Sequence, residues 1–194
     1  MGNTVVDQQR LWAPWRYDYV AGKVPDDLPV DRLEPSGWHP GAEHTCFLCR
    51  AAAHYGDPKK SDRQNLVVWR GNHVFVILNR FPYNNGHILL TPYRHIAALD
   101  ELTSHEHLET LNKLGELTNL LQECIQAEGF NIGLNLGRVA GAGVPGHLHW
   151  HLVPRWQGDH NFMPVTGSTS IIPQAIDSLW ELLTARLTQD VDNS

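Results

Sequence analysis

The rhythm of hydrophobic and polar positions changes near Asn65. Downstream, short apolar runs alternate with turn residues: NLVVW and HVFVILN flank Arg70-Gly71-Asn72, a hairpin signal, and HILLTP follows the loop FPYNNG. Three strands of an antiparallel sheet are therefore expected. In LDELTSHEHLETLNKLGELTNLLQECIQAEG, Leu108, Leu111, Leu114, Leu117, Leu121 and Ile125 predict a long helix, with Thr103 or Ser104 able to cap its start and Gly129 its end. NIGLNLG and HLHWHLVP read as two more strands around the glycine-rich loop RVAGAGVPG. In IIPQAIDSLWELLTARL, Ile176, Leu179, Trp180, Leu183 and Leu187 share one face of a C-terminal helix, with Pro173 suited to its first turn. Residues 1–64 lack such periodicity and are expected to form an irregular arm, with one short turn or helix near Cys49 to Tyr55, wrapped on a domain spanning 65–194. The fold class is α+β: an antiparallel sheet, a long packed helix and a C-terminal helix in one compact domain.

Composition narrows the function. At 42% hydrophobic and 19% charged, the 194 residues can bury a core. No apolar run approaches the ~20 residues that a membrane span requires, and MGNTVVDQQRLWAPWR holds no signal-peptide core, so a soluble cytoplasmic protein is expected. A net charge of −6 without a basic cluster argues against a nucleic-acid surface. Three cysteines make no disulfide framework, and the Cys46-x-x-Cys49 pair reads as metal or redox chemistry. The count that stands out is histidine, with 12.

Three of those lie in His147-Leu148-His149-Trp150-His151-Leu152. Alternate side chains of a strand share a face, so the imidazoles stand on one side while Leu148, Trp150 and Leu152 enter the core. An exposed amphipathic strand, or three ligands of one metal, would also produce this pattern. The four glycines between Gly137 and Gly146 favour a third use, because they let backbone N–H groups approach an anion. Neutral imidazole is nucleophilic near pH 7, which points to phosphoryl or nucleotidyl transfer with His149 as nucleophile and its neighbours orienting and donating.

GHLHWHLVPRW resembles the signature of the histidine triad family of nucleotide hydrolases and transferases. LNRFPYNNGHILLTPYRHIAAL is similar to the family's nucleoside-binding strand and turn, and GFNIGLNLGRVAGAGVPGHLHWHLVPRWQGDHNF to its catalytic half. LWAPWR, PRWQGDHNF and GSTSIIPQ most resemble the bacterial diadenosine tetraphosphate phosphorylase branch. The resemblance implies that His149 attacks the α-phosphorus to form a nucleotidyl-histidine, and that His151 contacts the phosphate and leaving-group bridge. The hexose-1-phosphate uridylyltransferases carry glutamine in the place of His151, which argues against that branch. It further implies ribose binding by Asn79, a supporting role for His87 and phosphate or ribose contact by Asn135. Arg155 is a candidate for phosphate charge or an exposed arginine after a strand. Gly143 stands where many members have glutamine or serine, so any phosphate contact there must come from backbone N–H. The expected substrate is a dinucleoside polyphosphate, with phosphate or water as acceptor. Alternatives are a phosphoramidate or mononucleotide hydrolase and a zinc-stabilised nucleotide-binding module without turnover. Homodimers are expected.

Two cysteines alone do not make a zinc site, which needs four ligands. Zinc-containing members of the family join a C-x-x-C to the histidine of a Pro-x-Arg-His segment and to the first histidine of the triad. By that resemblance the ligands are Cys46, Cys49, His95 and His147, with His44 and His54 as alternatives, and the zinc is structural. His39, His73, His105, His107 and His160 are expected at the surface or in caps.

Overall fold

The computed structural model describes residues 33–159 and 175–192. LWAPWR, His160, GSTSIIPQ and Pro173 lie outside the described residues. Five strands, β1 (Val67–Arg70), β2 (Val74–Leu78), β3 (Ile88–Pro92), β4 (Gly129–Leu134) and β5 (Trp150–Arg155), form one sheet in the order β1-β2-β3-β5-β4. Every neighbouring pair is antiparallel. Although last in sequence, β5 is an inner strand, so the histidine segment is gripped from both sides. Among the described residues the α-helices are α1 (Phe47–Ala52), α2 (Pro58–Asn65), α3 (Ser104–Ile125) and α4 (Ile176–Asp192). The α+β architecture with an antiparallel sheet, a long helix and a C-terminal helix agrees with the sequence reading.

The hairpin closes where expected, with the Gly71 N–H donating to the Val74 carbonyl at 2.9 Å. Strands β2 and β3 are buried along their whole length, and Leu179, Leu183 and Leu187 of α4 are buried as their spacing implied. Each fully buried Leu contributes about 1.5–3 kcal/mol.

Four expectations need correction. Leu108 and Leu111 are 60% and 65% exposed, and α3 buries Leu114, Leu117, Leu120 and Leu121 instead. The helix stops at Ile125, where Gln126 takes a left-handed conformation as its cap, and Gly129 opens β4. Residues 58–65 form a helix, with Asp57 accepting the Lys60 N–H at its start and Pro58 in its first turn. Finally, regular pairing of the histidine strand begins at Trp150 rather than His147. The described part of the arm is integral to the molecule: Leu48, Cys49, Ala51 and Ala52 of α1 join the same core as the sheet. Arg70 on β1 holds it there, donating to Asp62 on α2 at 2.7 Å and to the Ala51 carbonyl of α1 at 2.6 Å.

The loop that brings His87 to β3 turns at Gly86, whose φ is +73°. A Cβ there would meet Ile125 Cδ1 at 2.8 Å and Pro154 Cγ at 3.1 Å, so glycine alone fits between α3 and β5.

At the other end, α3 is locked to the segment leaving β3. Thr103 and Glu106 form a capping box, and Arg94 donates to both Glu106 oxygens at 2.8 and 2.7 Å. These bonds, Arg94 first, hold the Glu106 carboxyl down at about 2 against an ordinary 4.5. Its folded-state value is the depressed one, so the stabilisation is complete above about pH 4.5 and is lost as pH falls toward 2. Solvent screening of the half-exposed Arg94 limits the pair to about 1–2 kcal/mol. Glu106→Gln is expected to lower stability by that amount at pH 7 in urea unfolding and to abolish this part of the acid dependence below pH 4.5. Equal stability of the two proteins at pH 7 would contradict the assignment.

Candidate active site

The histidine segment leaves the regular ladder at Trp150 and crosses toward the region between β3 and α1. Along it, Leu148, Trp150 and Leu152 are buried, as the alternation required. The imidazoles take up different work. His149 and His151 lie edge to face with ring centres 5.0 Å apart, while His147 turns to His95 at 5.1 Å.

His149 is 7% exposed. Its Nδ1–H donates to the carbonyl of His147 at 2.7 Å, which leaves the lone pair on Nε2. Burial pushes its pKa below the ordinary 6.5, so the neutral form prevails at pH 7. The protein thus presents a neutral imidazole of fixed tautomer, the state a nucleophile needs.

The proton of His151 is placed by a relay from the FPYNNG loop. The backbone N–H of Tyr83 donates to His87 Nδ1 at 3.0 Å, so the His87 proton resides on Nε2. That proton is donated to His151 Nδ1, 3.0 Å away, and His151 is left with its own proton on Nε2. Beside His149 stands a donor, of the kind a departing phosphate oxygen would require. The amide nitrogen of Asn135 lies 3.5 Å from this Nε2, so two donors face the same space. Gly133 pairs with His151 across the sheet and carries no side chain to cover that face.

Tyr83 escaped the sequence reading. Its ring, 42% exposed, stacks on His87 with centres 4.7 Å apart. An aromatic residue within a Pro/Asn/Gly loop was the available signal.

The remaining sequence candidates divide. Asn79 lies beside His87, its amide nitrogen 3.3 Å from Nδ1, while its oxygen accepts the Phe81 N–H at 2.9 Å, a turn role. Gly143 is exposed in the loop before the triad. Within that loop Ala140, Gly141 and Ala142 direct their N–H groups to its own turns. Arg155 is held by Asp159 in a two-pronged ion pair at 2.5 and 2.8 Å and also donates to Asn131, which raises its pKa and commits its charge away from a phosphate.

Cys46, Cys49, His95 and His147 bring four ligand atoms within 4.8 Å of one another. Both imidazoles point Nδ1 at the sulfurs: His95 is 3.2 Å from Cys49, and His147 is 3.4 Å from Cys49 and 3.5 Å from Cys46. His147 Nε2–H donates to the Pro92 carbonyl at 2.9 Å, which keeps Nδ1 unprotonated as a metal ligand requires. The Cys49 thiol, followed by His147, draws the Cys46 pKa well down, and that charge in turn drives Cys49 upward. A divalent cation is what would let both sulfurs be thiolates. A Cβ on Gly146 would lie 3.0 Å from His95 Nε2, so glycine there leaves room for the ring. The donor set therefore fits zinc. His44 stacks on Trp38 and His54 packs beside His39, so neither belongs to the cluster.

A cleft of about 740 Å3 lies elsewhere, lined by His39, His54, His73, His105, Arg70 and Arg94 among others. Its arginines are paired with Asp62 and Glu106, and it contains no member of the triad.

A neutral imidazole with its lone pair on Nε2, a second imidazole beside it and a sheet face left uncovered at Gly133 are the groups that a histidine-based nucleotidyl or phosphoryl transfer would use. A model of the HIT domain matches residues 60–158, and the chain belongs to that family. It is 38% identical over 175 residues to the AP-4-A phosphorylase of Mycobacterium tuberculosis, covering 90% of this chain and 82% of that one. It is 30% identical over 93 residues to the asymmetrical bis(5'-nucleosyl)-tetraphosphatase of Schizosaccharomyces pombe, covering 48% of this chain and 50% of that one. In fold it is similar to a Zn-bound histidine triad family protein from Mycobacterium smegmatis, with a TM-score of 0.53 and 22% identity over 66% of this chain and 88% of that one.

Proposed function

We propose that this protein is an enzyme that cleaves dinucleoside polyphosphates of the diadenosine tetraphosphate type, with inorganic phosphate as acceptor. The observation that carries the reading is the pairing of His149, whose Nδ1 is taken by the His147 carbonyl, with His151, whose Nδ1 is taken by His87, so that both rings keep Nε2 for substrate. The likeness to AP-4-A phosphorylase over nine-tenths of the chain supports the substrate class. His149 Nε2 attacks the α-phosphorus, and the bond to the bridging oxygen breaks as His151 donates a hydrogen bond to the departing ATP. A phosphate oxygen then attacks the adenylyl-histidine, restores the imidazole and leaves as ADP. His87 positions His151, Asn135 borders the phosphates, Asn79 reaches the ribose hydroxyls, and backbone N–H near Gly143 meets phosphate. Because the chain carries a net charge of −6, these local donors and not the overall field must hold the anion. Zinc at Cys46, Cys49, His95 and His147 is structural in this reading, since four protein ligands leave no open position. A homodimer and a cytoplasmic location complete it, supported by the family resemblance.

Incubation with diadenosine tetraphosphate, with and without phosphate, tests the reaction. Phosphate-dependent ADP plus ATP is expected. Phosphate-independent AMP would replace the phosphorylase with a hydrolase, and no product from any dinucleotide would remove both.

A further inference from the structure

The ladder between β3 and β5 ends at Leu90 opposite Trp150, one step before the nucleophile. By register the next residue of β3, Thr91, would face His149, yet no regular pair forms there. The triad strand is already turning away toward the Cys46 and Cys49 cluster, where His147 is held. A peptide that leaves its sheet inside a protein must find other partners for its N–H and C=O groups.

It finds two. The Leu148 N–H donates to the Ile96 carbonyl at 2.7 Å, and the Leu148 carbonyl accepts the Thr91 hydroxyl at 2.8 Å. Thr91 is fully buried, and its hydroxyl has one other acceptor in range, the Pro92 carbonyl at 3.4 Å. The Leu148 carbonyl belongs to the peptide that joins Leu148 to His149. Its direction fixes the plane from which the His149 Cα departs. The preceding carbonyl, that of His147, is the one that holds the His149 ring. Thr91 thereby sets the backbone between the ring's anchor and the ring.

We propose that Thr91 is a positioning residue for His149, its hydroxyl replacing the ladder hydrogen bond that is lost where the histidine strand leaves β3. This rests on the reading of His149 as the nucleophile. A displacement of the reacting atom by about 1 Å can cost about 100-fold in rate. The role is therefore expected in kcat, because substrate binding does not pass through Thr91.

The experiment compares Thr91→Val, which exchanges the hydroxyl for a methyl, with Thr91→Ser, which retains it, using diadenosine tetraphosphate and phosphate. Thr91→Val is expected to lower kcat about 10- to 100-fold, with KM within about 2-fold and zinc content unchanged. Thr91→Ser should recover kcat to within about 3-fold of wild type. A hydroxyl that served stability alone would lower the melting temperature and leave the kcat of the folded enzyme intact, which would overturn the proposal. So would a change confined to KM, or a serine variant no better than valine. Should the valine variant not fold, Thr91→Cys, a weak donor of similar size, takes its place, and a wild-type kcat for it would overturn the proposal. His149→Ala separates the two levels. If that variant turns over, the nucleophile assignment falls; if it is inactive while Thr91→Val keeps its kcat, the positioning role falls alone.

Discussion

His149→Ala is expected to lower phosphorolysis of diadenosine tetraphosphate by roughly 10^4-fold or more, the scale seen when the nucleophile of a covalent mechanism is removed. Alanine removes the attacking Nε2 and leaves His151 and its relay in place, so nucleotide binding should change far less than kcat. Radiolabelled substrate supplied without phosphate should leave label on wild-type protein denatured in alkali, where a phosphorus–imidazole bond survives, and none on the variant. His87→Ala provides the contrast. There His149 is intact but His151 loses the partner that holds its proton on Nε2, so a smaller loss, about 10- to 100-fold, is expected with the label still trapped. Equal labelling of wild type and His149→Ala would show that the phosphorus bonds to another atom and would sink the covalent mechanism.

The two histidines differ in how far their roles could be read from sequence. Alternation alone separates the imidazoles from Leu148, Trp150 and Leu152, because period two is a local property of extended chain. The protonation states are not local: that of His151 is imposed through His87 by a backbone N–H 68 residues away in sequence, at Tyr83. The leucines of α3 show the opposite failure, a local pattern read too generously. A step of three residues turns 300°, so Leu108 and Leu117, nine residues apart, lie on opposite sides of the helix. Leu117 is buried and Leu108 is exposed accordingly. Helix α2 carried a readable start in Asp57-Pro58, but PKKSDRQN has no apolar stripe to announce it, and what holds it is Arg70 clasping Asp62. Arg155 could not be judged by residue type, since its charge is committed by Asp159, a residue beyond the strand whose approach depends on the turn at Gly158.

The metal cluster is where the ligands implied by the family resemblance and their three-dimensional placement agree, and it yields the second large effect. Cys46→Ser replaces one soft donor and is expected to reduce zinc from about one ion per chain to a small fraction, as read by elemental analysis of purified protein. The four ligands come from the start of α1, the segment after β3 and the triad strand, so the ion would cross-link three parts of the chain that otherwise meet through packing. Structural zinc supplies up to about 10–16 kcal/mol in small domains that cannot fold without it. Here Leu48 and the Arg70 clasp already hold α1, and a loss of about 3–5 kcal/mol is expected. At about 2–4 °C per kcal/mol for a chain of this size, the melting temperature should fall by roughly 6–20 °C. Chelation of wild type should reproduce that fall and should not lower Cys46→Ser further. His44→Ala and His54→Ala, outside the cluster, should retain zinc and melt as wild type does. A wild-type protein that purifies without metal and ignores chelators would refute the zinc assignment while leaving the nucleophile untouched, because His149 draws its tautomer from the His147 carbonyl and not from that residue's ring.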